Sequence, residues 1–151
     1  VYTDGPLWID DDIVISGTLP DVAGEEMTEL FYIKREEGVY DVDTMSHEQI
    51  LVVREETGLY VFSGCSHKGV PSVLEFVRMQ FPQDEIAVLV AGMHLYSADS
   101  EKRKAVVEKV CMENVKSVFP VHCTGIDAIC DLKAVMGENC IVATAGNYYE
   151  Y

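Results

Sequence analysis

Three of the four histidines, His67, His94 and His122, stand in loops that follow apolar runs. Neutral imidazole binds zinc, iron, nickel and manganese, and three histidines with one position left open form a catalytic rather than a structural pattern. His67 and His94 are 27 residues apart and His94 and His122 are 28 apart, each about one strand–loop–helix unit, so the three imidazoles could converge. For any one of them a hydrogen-bonded loop histidine is the simpler reading. It is the repeated placement that favours metal ligands. Cys65 and Cys123 add two thiols beside His67 and His122; they could support the site or ligate directly, and a closed Cys₂His₂ zinc site is the structural alternative. Each cysteine also precedes an expected helix start, where a thiolate is stabilised and could act as a nucleophile. A small core residue is the plainer role. Ser66, Lys68 and Thr124 lie where free N–H groups open two helices, a pattern able to hold phosphate or carboxylate. His47 and Asp10-Asp11-Asp12 read as solvated loop groups. Asp99 is the one candidate general base, with no further support in the sequence.

The elements that must position these residues follow from hydrophobic periodicity. The first sixty residues read as short strands and turns: Ile13–Ser16, Leu30–Lys34 and Gln49–Glu55, then a hairpin connection at Glu56-Thr57-Gly58 into Leu59–Phe62. Consecutive apolar residues over Ile50–Val53 predict a central strand covered on both faces. From Leu59 onward one plan runs three times: apolar strand, histidine loop, helix. Leu59–Phe62 leads to a helix with Val70, Val73, Leu74 and Val77 on one face and Pro71 in its first turn. Ile86–Ala91 leads to a helix over about 101–113, and Ser117–Pro120 to one over about 126–136. Thr124 and Asp127 have capping-box spacing, and Gly137 sits at a C-cap position. Ile141–Ala143 reads as a last strand. Such alternation predicts an α/β sheet with the histidines at the carboxyl ends of strands, where ligands gather.

Composition sets the outer bounds. The 151 residues carry a formal net charge of −15, with 48% hydrophobic residues. A chain this long buries roughly 68–70% of its unfolded surface and needs no disulfide or structural metal to fold. The acidic balance disfavours nucleic acid and anionic membranes as partners, since both require a basic face. Lys34, Arg35 and Arg54 are the only basic residues among the first sixty, so anion chemistry is expected in the second part. The apolar runs are far shorter than the ~20 residues of a membrane span. No secretory signal pattern opens the sequence, and five cysteines are not spaced as a disulfide framework. The expectation is a reduced, cytoplasmic protein.

Three ordered motifs carry a resemblance. Gly58-Leu59-Tyr60-Val61-Phe62-Ser63-Gly64-Cys65-Ser66-His67-Lys68-Gly69, Ala91-Gly92-Met93-His94-Leu95 and Pro120-Val121-His122-Cys123-Thr124-Gly125 resemble the metallo-β-lactamase superfamily. The nearest branch is that of the metal-dependent hydrolases of the β-lactamase superfamily II, which includes dihydropterin/aminobenzene ribofuranosyl-phosphate synthase-like proteins. Ile13–Pro20 with Glu25-Glu26, and Gly146 to Tyr151, resemble further segments of that branch. The resemblance implies an α/β fold: the C-terminal part of an αββα sandwich, with a mixed sheet, helices packed on it and a divalent metal site at one edge. Zinc is the first expectation for the metal, with iron or manganese as alternatives. It implies hydrolysis of an ester or phosphoester-type bond by a metal-bound hydroxide. Carried over by position, His67 and His122 are metal ligands and His94 is a ligand or a wall residue. Cys65 stands near a position where related enzymes have a bridging aspartate. The signature His-x-His-x-Asp-His is absent, so the resemblance implies one partial domain, 1–151, without the N-terminal half. The expected partners are a small-molecule substrate, phosphorylated or otherwise anionic, and either a second copy or a chain supplying the other half. A non-catalytic α/β module that dimerises or complements a partner is the alternative.

Overall fold

The computed structural model describes residues 3–23 and 27–151. Its main sheet has six strands in the order β1-β2-β5-β6-β7-β8. These are β1 (Leu7–Trp8), β2 (Ile13–Ile15), β5 (Ile50–Glu55), β6 (Gly58–Ser63), β7 (Ile86–Gly92) and β8 (Ser117–Val121). β3 (Tyr32–Glu36) and β4 (Val39–Val42) form a separate exposed hairpin. β1, β2, β5 and β6 pair antiparallel, and β6, β7 and β8 pair parallel. The change of sense has a local cause. A two-residue turn joins β5 to β6, whereas α1 (Val70–Gln80) and α2 (Ser100–Met112) provide the long crossovers that parallel neighbours need. The third helix, α3 (Ile126–Met136), follows β8.

Alternation along the strands separates two faces. Leu59 and Val61 of β6, Leu89 and Ala91 of β7 and Val118 of β8 join one apolar cluster with Val73, Leu74 and Val77 of α1, Val107 and Val110 of α2, and Leu132 of α3. The opposite face carries a much smaller cluster of Ala87, Val88 and Phe119, flanked by Tyr60 and Val90. Tyr149 and Tyr151 pack edge-on against Phe119. A register shift at the start of the β6–β7 pairing places Ala87 and Val88 together on this second face.

The three strand–loop–helix units form as the periodicity predicts, and α3 ends on Gly137 at φ 56°. Three expectations change, and one strand, β4, is additional. β5 is an interior strand, but only Ile50 and Val52 are buried, while Leu51 is 36% exposed; the four-residue apolar run is covered on one face only. Ile141–Ala143 forms no strand: a single bridge joins Cys140 to Val118, with Ile141 N donating to Val118 O at 2.8 Å. The capping box is absent, because α3 is capped by Gly125 without a side-chain bond. Thr124 Oγ1 is buried and donates instead to Val121 O at 2.8 Å. β4 carries no period strong enough to announce it. Glu25 and Glu26, part of the resemblance above, lie outside the described residues. Among the described residues no helix is long and apolar enough to cross a membrane.

The two faces make unequal contributions. Leu89→Ala, on the helix-covered face, is expected to cost about 2–5 kcal/mol through cavity formation. Leu51→Ser, on the opposite face, is expected to cost less than about 1 kcal/mol. Urea unfolding monitored by circular dichroism measures both.

Candidate metal centre

Parallel pairing sends the loops after β6, β7 and β8 to the same edge of the sheet. They are stitched together there: Gly92 N donates to Gly64 O at 2.7 Å, and Leu95 N donates to Cys123 O at 3.2 Å. Ser66, His94 and His122 have φ of 53°, 47° and 23°, a region non-glycine residues seldom occupy. Such outliers cluster where surrounding structure over-determines the backbone, and here each lies in one of the three motif loops.

Among the described residues, no three-ligand set joins the three imidazoles. They divide between two adjoining groups. In the first, Cys65 Sγ lies 3.1 Å from His122 Nε2, and the ligand atoms of Cys65, His122 and Cys123 all lie within 4.8 Å of one another. This is the one set of three metal-ligand side chains within common reach among the described residues. In the second, the rings of His67 and His94 meet edge to face with centroids 4.6 Å apart, and Phe31 packs against both. Among the described residues, neither histidine shares a three-ligand set with His122.

Two carboxylates that sequence reasoning did not single out complete the second group. Glu29 Oε2 lies 3.2 Å from His94 Nε2 and accepts from Tyr96 Oη at 2.7 Å. The Tyr96 hydroxyl, and then His94, hold the Glu29 carboxyl below the usual carboxylate range, and the same bond raises the Tyr96 phenol. The other His94 nitrogen, Nδ1, is buried without a hydrogen-bond partner. Glu48 Oε1 lies 3.5 Å from His67 Nδ1. Burial depresses the His67 imidazole below its ordinary value, with Glu48 opposing that shift. Neither glutamate has a spacing that ties it to a histidine loop, since Glu29 is 65 residues from His94 and Glu48 is 19 from His67.

The expected anion cradle is filled from within. His67 N and Lys68 N donate to the two Glu48 oxygens at 2.7 and 2.9 Å. Lys68 Nζ donates to Leu19 O and pairs with Asp21 Oδ1, both at 2.7 Å. Ser66 Oγ is buried 2.7 Å from Ser63 Oγ. With Thr124 also turned inward, the polar atoms of Ser66, Lys68 and Thr124 are engaged by the fold itself. Asp99 caps α2 by accepting from Lys102 N at 2.8 Å and is a structural residue. His47 is exposed and 3.8 Å from Asp43 Oδ1, as a loop histidine should be. Asp10 accepts from Asp12 N and Ile13 N, so the acidic triplet shapes a turn.

The thiol–imidazole group has the composition of a soft metal site: thiolate and imidazole suit zinc and ferrous iron. Burial, reinforced by the neighbouring Cys65 thiol, pushes the Cys123 thiol from the ordinary 9.0 up to about 11. A cation is the agent that reverses such a shift. Space for the His122 ring depends on Gly92, because a Cβ there would lie 2.5 Å from His122 Cε1 and 2.6 Å from Nε2.

Two outcomes follow from this geometry. Gly92→Ala should displace the His122 ring and cost about 1–3 kcal/mol by overpacking, read as a lower urea midpoint and altered His122 ring resonances. In metal-free protein, alkylation of Cys123 by iodoacetamide should accelerate with each pH unit until about 11, the value to which its thiol is raised. Peptide mass analysis of the alkylated sites against pH measures it.

No protein-family profile matches the chain. It is 30% identical over 95 residues, 63% of its length, to 7,8-dihydropterin-6-methyl-4-(beta-D-ribofuranosyl)-aminobenzene-5'-phosphate synthase of Methanocaldococcus jannaschii, covering 32% of that protein. An uncharacterized protein of the same organism is 29% identical over 127 residues, 84% of this chain and 46% of the relative. The chain therefore spans less than half the length of these curated relatives. A crystal structure of a metal-dependent hydrolase of the β-lactamase superfamily superposes with a TM-score of 0.85 at 29% identity, over 97% of this chain and 56% of that one. The chain thus carries the mixed α/β fold of a β-lactamase-superfamily metal-dependent hydrolase and resembles that family in sequence, across about half the length of the solved protein.

Proposed function

We propose that this chain forms part of a metal-dependent hydrolase acting on an ester or phosphoester-type bond of a small, anionic molecule. The observation that carries the reading is the Cys65, His122 and Cys123 donor set at the carboxyl edge of the sheet, in a chain similar to a metal-dependent hydrolase. Those three side chains would hold the ion, with zinc as the first expectation and iron next. When bound, such an ion polarises the scissile bond and supplies an activated water.

The remaining residues have roles that follow from their contacts. Glu29 is held ionised by Tyr96 and His94, and a carboxylate so stabilised is a poor proton acceptor; its task is to fix the His94 ring. His67 and His94 face each other under Phe31 and wall the same edge, where they would meet either substrate or a second ion. Ionisation of Cys123 is required for ligation, so metal uptake releases a proton and is favoured as pH rises.

A second reading, a module that dimerises or complements a partner without catalysis, is favoured by one observation. Leu51 and Phe62, on the face away from the helices, are 36% and 39% exposed, an apolar strip that association would cover.

Elemental analysis and zinc competition against a chromogenic chelator test the first reading. Near-stoichiometric metal is expected, with an affinity that rises between pH 6.5 and 8.5 and is lost in His122→Ala and Cys123→Ala. Hydrolysis of a generic phosphodiester should disappear in the same variants. A chain that binds no metal at any pH, yet sediments as a stable dimer or captures a complementing half, would favour the second reading.

A further inference from the structure

The Glu48 side chain is 10% exposed, and its hydrogen bonds run to one loop among the described residues. Its two oxygens accept from consecutive backbone N–H groups, His67 N at 2.7 Å and Lys68 N at 2.9 Å, immediately after Ser66 at φ 53°. Oε1 also faces His67 Nδ1 at 3.5 Å. A largely buried carboxylate must be paired, and both of its oxygens are satisfied here by the histidine loop. Glu48 itself is held at the start of β5: its N donates to Met45 O at 3.0 Å, and the next ladder position is fixed by Ile50 N donating to Ser16 Oγ.

From this arrangement we infer that Glu48 is the positioning residue of the His67 loop: it clamps the loop backbone and holds His67 in the Nδ1–H tautomer, which leaves the Nε2 lone pair free. A carboxylate beside one ring nitrogen favours the proton on that nitrogen and turns the other into an acceptor or ligand atom. The ring has few other choices, because Phe31 and His94 pack against it at centroid distances of 4.7 and 4.6 Å. The inference rests on the proposed function only in giving that Nε2 lone pair a use, on substrate or metal. The clamp and the tautomer are properties of the metal-free chain. The same contacts explain why the cradle at the start of α1 is closed to outside anions: Glu48 occupies it.

The test compares wild type, Glu48→Gln and Glu48→Ala, all metal-free, using two-bond ¹H–¹⁵N correlations of the His67 ring and hydrogen exchange of the His67 and Lys68 amides. Wild type should show the Nδ1–H tautomer. Glu48→Ala should give a tautomer mixture and speed exchange at both amides by roughly tenfold or more, the loss of one hydrogen bond each. Glu48→Gln keeps one acceptor oxygen, so it should retain protection at one amide and lose the tautomer bias. An Nε2–H tautomer in wild type, or a ring signature and exchange rates unchanged in Glu48→Gln, overturns the inference even if Glu48→Ala does not fold. Metal content and hydrolysis, measured separately, bear on the proposed function alone: their absence beside an intact Nδ1–H signature would remove the hydrolase reading and leave the clamp standing.

Discussion

Parallel pairing of β6 with β7 and of β7 with β8 is the constraint on which the rest of the molecule depends. Strands that run the same way deliver their following loops to the same edge, so the residues after Ser63, Gly92 and Val121 meet although 27 or 28 positions separate their histidines. Every candidate ligand is a consequence of that one choice of sense. The crossovers that enforce it, α1 and α2, also supply the apolar residues that bury one face of the sheet. Folding energy and site assembly therefore draw on the same contacts.

Within that frame the edge is built by backbone contacts as much as by side chains. Gly92 contributes the absence of a Cβ, which is what gives the His122 ring its place. Left-handed residues at Ser66, His94 and His122 lie in loops that Gly92 N to Gly64 O and Leu95 N to Cys123 O tie to one another. The electrostatics are locally balanced despite a charge of −15: Glu29 answers His94 and Tyr96, and Glu48 answers two amides and His67. Beside them stands a pair of thiols, one of which burial holds in its neutral, protonated form. That pairing of a soft donor set with a protonation cost gives the proposed metal centre its pH dependence.

The two faces of the sheet tell different stories. One is sealed by three helices, and the other carries only a small buried cluster of Ala87, Val88 and Phe119, against which Ile141, Ala143 and the C-terminal tyrosines pack, beside the exposed Leu51 and Phe62. This asymmetry agrees with a chain that matches just over half of a solved relative. It also keeps association beside catalysis as a reading with a physical basis.

Local pattern alone determined the three strand–loop–helix units, because apolar periods of two and of about 3.6 are written directly in Leu59–Phe62, Val70–Val77 and their two successors, and glycines mark the turns between them. It also marked the loops as chemical, since imidazole and thiol recur at equivalent places. Tertiary structure alone decided how those groups are shared. His122 sits with Cys65 and Cys123 in the one three-ligand set among the described residues, and Lys68 is turned inward by Leu19 and Asp21, distant in sequence, while Ser66 and Thr124 bond within their own loops to Ser63 and Val121. Glu29 and Glu48 are the clearest cases: nothing in their flanking residues distinguishes them from the other acids of the first sixty residues. Their roles exist only because the fold carries them across 65 and 19 positions to groups whose buried polarity needs a partner. Periodicity records which face of an element is buried, but not which side chain from elsewhere will satisfy the polar atoms at its end.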